Sequence, residues 1–100
     1  MSSPSPSTTK HFLVDLSLKS ALEPSELQEQ RDFLQGLTLQ GCLLVAGVAP
    51  AIQGRGIAIL AADSLEDARA VYADAPVVRI GKADIMVNEF RITSGILSRS

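Results

Sequence analysis

The sequence predicts a single α+β domain, and three observations carry that prediction. Apolar residues alternate with polar ones near both ends of the chain, at residues 10–19 and 84–93. Behind the capping residues Ser25 and Ser64, apolar residues recur at helical spacing. Between the two helices, two apolar runs flank residues 48–56, which hold Pro50, Gly54 and Gly56. Period-two alternation marks a strand with one buried face, a 3.6-residue period marks an amphipathic helix, and clustered glycine and proline mark a turn. The order is therefore βαββαβ. Its packing solution is a four-stranded antiparallel sheet with both helices on one face, the ferredoxin-like arrangement.

Each element has its own residues behind it. Residues 1–9 are almost entirely Ser, Pro and Thr, with too little apolar surface to offset the entropy of ordering, and are expected to be a disordered tail before a domain spanning 10–95. Residues 10–19 place Phe12, Val14, Leu16 and Leu18 on one strand face and His11, Leu13, Asp15, Ser17 and Lys19 on the other. His11, beside the tail, reads as a solvated histidine. The first helix starts at Ser25, an N-cap with Gln28 three residues on, and buries Leu27, Phe33, Leu34 and Leu37. Gln30 falls inside that stripe, three after Leu27 and four before Leu34, so a polar amide is placed where it needs a partner. Gly41 ends the helix, and residues 42–47 read as a strand apolar on both faces.

The second half repeats the plan. Residues 48–56 form a hairpin and 57–62 the returning strand, whose Ala58, Ala61 and Ala62 permit close packing. Ser64 caps the second helix, with Asp67 three residues on and a stripe of Leu65, Ala68, Val71 and Tyr72. Pro76 stops that helix near Asp74, and residues 77–81 are a short link. Residues 84–93 form the last strand, with Ile85 and Val87 opposite Met86, Phe90 and Ile92, before a flexible C-terminus at 96–100. One sheet face stays uncovered, carrying Leu13 and residues such as Ile85 or Val87. A domain this small is expected to cover that face with a second copy, as a homodimer.

Composition narrows the function classes. The formal net charge of -2 supplies no broad positive field for phosphates or anionic lipid, and the four aromatics Phe12, Phe33, Tyr72 and Phe90 are dispersed, so no stacking platform for bases forms; nucleic acid and membrane are not expected partners. No apolar run is long enough to span a bilayer, and Cys42, a lone cysteine, suits a reducing compartment, which makes the cytoplasm the expected location. Zinc-ligand spacing, a glycine-rich phosphate loop and a nucleophile elbow are all missing from the sequence, so neither metal nor cofactor is expected.

Gln30-Arg31-Asp32-Phe33, Gly41-Cys42-Leu43-Leu44-Val45-Ala46-Gly47, Asp63-Ser64-Leu65-Glu66-Asp67-Ala68-Arg69 and Ala73-Asp74-Ala75-Pro76 with Gly81, in that order and spacing, resemble the YCII-related protein family. The resemblance spans nearly the whole chain after Lys10 and implies a dimeric α+β barrel. It also implies a pocket lined by a His just before the position of Arg31 and by an Asp-Pro pair after the second helix. Here the His position holds Gln30, and Ala75 separates Asp74 from Pro76. The Gly-Pro expected after the second strand is spread over Gly47-Val48-Ala49-Pro50.

An amide cannot exchange protons near neutral pH, so Gln30 cannot serve as the base. It can orient a ligand, with Arg31, Phe33 and Leu34 beside it. Asp74 could act as base if burial raised its pKa, in a lyase or isomerase acting on a small carboxylate or ring compound. The alternative is that Gln30 bonds to the backbone and Asp74 solvates a helix end. The expected site is a cleft between the first helix and the sheet, walled by Leu27, Phe33 and Leu34, rimmed by the 48–56 hairpin and closed by the end of the second helix near Asp74.

Overall fold

The computed structural model describes residues 10–94, so the expected tail at 1–9 and the C-terminus at 96–100 lie outside the described residues. The chain runs β1 (Lys10–Leu18), α1 (Pro24–Leu39), β2 (Leu43–Val48), β3 (Arg55–Ala62), α2 (Leu65–Ala73), α3 (Pro76–Arg79) and β4 (Ala83–Glu89). The four strands form one antiparallel sheet in the order β2-β3-β1-β4, with helices packed on it: the ferredoxin-like βαββαβ fold. Both neighbours of β1 pair with it in one register, which sets Val14 opposite Ala58 on one side and Val87 on the other. Alternation then carries Phe12, Val14, Ala58, Leu60, Ala83 and Val87 under the helices, where they meet Leu37, Ala68, Tyr72, Ala75 and Val77. Burying a side chain of this size contributes roughly 1.5–3 kcal/mol. The Phe33 and Tyr72 rings close the gap between α1 and α2 edge-on, with centroids 5.8 Å apart and an interplanar angle of 85°.

Several element ends differ from the sequence expectation, each for a local reason. The first helix starts at Pro24 with Glu23 as N-cap, and Ser25 lies inside the first turn. Proline has no N–H to lose at that position and its fixed φ suits it, while the Glu26 carboxylate accepts from the Glu23 N–H at 2.8 Å. Gln28, expected in a capping box, instead donates to Asp32 one turn on, at 2.9 Å. Pro76 likewise starts a helix as well as ending one. With residues 77–79, expected within the 77–81 link, Pro76 forms the short α3, closed by Gly81 and Lys82 N–H groups donating to the Val78 and Val77 carbonyls.

The strand run at 42–47, expected to be buried on both faces, is the edge strand β2, shifted by one residue and exposed over positions 45–48. An apolar run carries no information about which strand pairs on both sides, and here β3 and β1 take the centre. The returning strand begins two residues early, at Arg55, and β4 covers 83–89, ending before Phe90. Ile85 and Val87 belong to the helix-covered face, because they lie opposite Leu16 and Val14; Met86 and Asn88, opposite Asp15 and Leu13, occupy the open one. Tyr72 and Ala68 on α2 behave as read, and the Ser64 hydroxyl accepts from the Asp67 N–H at 3.1 Å.

Two glycines hold positive φ for different reasons. Gly41 (φ 80°) forms the turn after α1, where its N–H and that of Cys42 donate to the carbonyls of Thr38 and Leu37, and an added Cβ would meet nothing within 4 Å. Gly54 (φ 78°) sits in the hairpin against β1, where an added Cβ would lie 3.2 Å from the Leu18 Cβ. Gly41→Ala is therefore expected to cost about 1 kcal/mol from backbone conformation alone. Gly54→Ala adds a steric term and should be the more destabilising of the two in denaturant melts.

Candidate functional site

A cleft of 360 Å³ opens between the N-terminal half of α1, the end of β1 and the β2–β3 hairpin. Leu16 and Leu18 of β1, Leu22 ahead of α1, Leu27 and Gln30 of α1, and Val77 of α3 face hairpin residues from Val48 to Gly56, among them Pro50 and Ile52. The lining is overwhelmingly aliphatic, and Arg55 is its one residue with a formal charge. The cleft is shaped by two backbone hydrogen bonds: the Leu18 N–H donates to the Gly54 carbonyl at 2.8 Å, and the Lys19 N–H to the Lys82 carbonyl at 2.7 Å. These tie the hairpin and the start of β4 to the end of β1.

Gln30 is 9% exposed and has its partner in the backbone of α3. Val77 is the second residue of that short helix, so its N–H has no acceptor one turn back. The Gln30 Oε1 accepts from it at 3.4 Å. A backbone N–H can only donate, which fixes the amide with oxygen toward Val77 and the NH2 group away from it. Among the described residues the NH2 has no protein acceptor, yet no buried side-chain nitrogen or oxygen is left unpaired. Gln30 lines the cleft, and with Oε1 on Val77 its NH2 is the end of the amide left to meet a ligand there.

The other residues named from sequence are distributed. Leu34 lines an adjoining depression of 300 Å³ that shares Leu16, Val48 and Gly56 with the cleft and reaches Tyr72. Phe33 and Asp74 share a separate depression between α1 and α2, with Gly36, Gln40 and Val71, so neither walls nor closes the cleft beside Gln30. The helix geometry accounts for this: Gln30, Leu34 and Leu37 follow one side of α1, and Phe33 is turned toward α2. Arg31 is exposed on α1 and lines neither cavity. Leu27, expected in the buried stripe, is 41% exposed at the cleft wall.

The alternation of β1 places Asp15 on the face away from the helices, where its partner comes from the next strand. Arg55 Nε donates to Asp15 Oδ1 at 2.5 Å and Nη2 to Oδ2 at 2.6 Å. Strand register makes the pair, since Arg55 lies opposite Ser17 and so diagonal to Asp15. These hydrogen bonds hold the Asp15 carboxyl below the usual carboxylate range and raise the Arg55 guanidinium. Glu26 is lowered in the same way, first by the Lys82 ammonium at 2.7 Å and then by the Glu23 N–H. Burial pushes the Tyr72 phenol up to about 12. Among the described residues no three His, Cys, Asp or Glu side chains gather as metal ligands would, and no helix is long and apolar enough to cross a membrane.

No family model matches the chain, and no curated protein matches it. Among solved structures it is similar to the uncharacterized protein TM1266 from Thermotoga maritima, with a TM-score of 0.54 over 83% of this chain and 99% of that one, at 8% identity. What the two share is the fold.

Gln30→Leu should destabilise the protein by about 1–3 kcal/mol, because it strands the Val77 N–H in the interior; equilibrium denaturation measures this. Tyr72 generates an alkaline limb. Its folded pKa exceeds that of the unfolded chain, so the stability it contributes is complete below pH 10 and is lost as pH rises toward about 12. The loss is on the order of 2–3 kcal/mol. Tyr72→Phe should flatten denaturation midpoints across that window, and an unchanged slope would contradict the assignment.

Proposed function

We propose that the chain is a small-molecule-binding homodimer of YCII-like type, in which Gln30 orients a ligand where the family's acid/base His would stand. The observation that carries this reading is the aliphatic cleft with the Gln30 amide in its helical wall and a second amide, Gln53, on the hairpin rim. Its volume falls in the lower part of the roughly 300–1,000 Å³ range of ligand sites, which are mostly apolar with a few placed polar groups. The hairpin rim suits such a role, since loop residues can move to admit a ligand while β1 and α1 hold the walls. Asp74, the candidate base of a lyase or isomerase reading, belongs to the depression between α1 and α2 with Phe33, which leaves the cleft without a side chain of suitable acid/base chemistry. Binding is the better-supported role. The cytoplasm, where a lone thiol such as Cys42 persists, is the compartment we assign to it.

The homodimer reading draws on the sheet face away from the helices. Met86 is 65% exposed there, and Ile57 and Val45 are each 44% exposed, with Leu13 and Ile59 between them on the central strands. Asp15 and Arg55 neutralise one another in the middle of this patch, so covering it does not bury an unpaired charge. A second copy placing the same face against it would remove apolar area from water at about 25 cal/mol per Å².

Light scattering at micromolar concentration is expected to give twice the monomer mass, and Ile59→Lys, a charge at the centre of the face, is expected to halve it. A wild-type protein that stays monomeric removes the dimer. For the cleft, a titration with mixed small charged and uncharged fragments, followed by amide NMR, should move the resonances of Leu22, Leu27 and Ile52. If those resonances stay fixed for every fragment, the binding role fails.

A further inference from the structure

We infer that the cleft takes an uncharged, largely apolar molecule bearing one carbonyl-type hydrogen-bond acceptor, and that it discriminates against the matching carboxylate. This inference rests on the small-molecule reading above and adds the chemical class of the ligand.

Two observations lead to it. The first is the polarity of the Gln30 amide. Val77 N–H holds Oε1, so what the cleft receives from this side chain is a donor, Nε2 with its two hydrogens. A ligand group that meets it must accept. The second is the state of the nearby cations. Arg55, the one charged residue in the lining, has Nε and Nη2 committed to Asp15 in a two-pronged pair. Lys82, whose backbone anchors the end of β1, has its ammonium on the Glu26 carboxylate at 2.7 Å and the Ala21 carbonyl at 3.2 Å. Lys19 stands 3.5 Å from Asp84. Each of these three cations already faces a carboxylate. A ligand carboxylate entering the cleft would give up its hydration among leucines without gaining a counter-charge, a transfer that is strongly disfavoured. A ketone, ester or amide oxygen loses much less hydration and recovers it from the Gln30 NH2. The aliphatic walls from Leu16, Leu18, Leu22, Leu27 and Ile52 then favour the body of the molecule over water.

The test compares matched pairs with the same carbon skeleton, such as cyclohexyl methyl ketone with cyclohexanecarboxylate and acetophenone with benzoate, together with a straight-chain methyl ketone and its carboxylate. Binding is read at pH 7, where the acids are ionised, from backbone amides of the cleft and from the side-chain NH2 resonances of Gln30. At least one ketone should bind tenfold or more tightly than its carboxylate and displace the Gln30 NH2 signals. Gln30→Glu keeps an oxygen for the Val77 N–H but removes the donor, and should weaken the ketone tenfold or more with the fold intact by circular dichroism. Should that variant not fold, the wild-type pairs and the NH2 resonances decide alone. Carboxylates that bind as tightly as their ketones overturn the ligand class while leaving a small-molecule site in place. A ketone that binds without moving the Gln30 NH2 overturns the donor role. If no member of any pair moves the cleft resonances at millimolar concentration, the binding reading falls and this inference falls with it.

Discussion

The two-sided pairing of β1 is the constraint on which the rest of the structure depends. Phe12 and Val14 are 1% and 0% exposed, and each faces a partner on both neighbouring strands. Slipping either pairing by one residue would exchange this face for the one that carries Asp15, so the register is held by burial on one side and by charge on the other. Once β1 is fixed, the helices have one apolar surface to cover, and Leu37, Tyr72 and Val77 converge on it. The Asp15–Arg55 pair is a consequence of the same register.

Gln30 links this core to the cleft. A short helix such as α3 begins with N–H groups that find no acceptor within it, and a buried amide from another helix supplies one. In doing so Gln30 holds α3 against α1 and is itself held with its donor end directed away from Val77. An amide offers hydrogen bonds but no group that titrates near neutral pH, so Gln30 gives the cleft polarity without acid/base chemistry.

The two faces of the sheet solve different problems. On the helix side, apolar residues are sealed, and among the described residues Gln30 is the one buried polar side chain. On the other side, exposed Val45, Ile57 and Met86 surround an ion pair that satisfies itself. The edges differ as well: β4 carries Asp84 and Glu89, whereas β2, Leu43–Val48, carries no charge at all, and its register shift between Leu43 and Val45 is the feature that interrupts regular pairing there.

What the sequence by itself determined is the part of the structure governed by local periodicity and short-range chemistry. The alternation through Phe12, Val14, Leu16 and Leu18, the Ser64 cap with Asp67, the turn at Gly41 and the βαββαβ order follow from interactions within a few residues, and so were legible in advance. Gln30 stood out for the same reason, as an amide within an apolar stripe. Tertiary structure decided what depends on residues far apart in the chain. That Ile85 and Val87 lie under the helices, that β2 is an edge, that Arg55 finds Asp15 forty positions away and that the Val77 N–H becomes the partner of Gln30 are outcomes of strand order and register. Asp74 shows the limit most clearly. Its place after α2 was readable, but which side of α1 it would share, and hence its separation from the Gln30 cleft, depended on how two helices pack across one sheet.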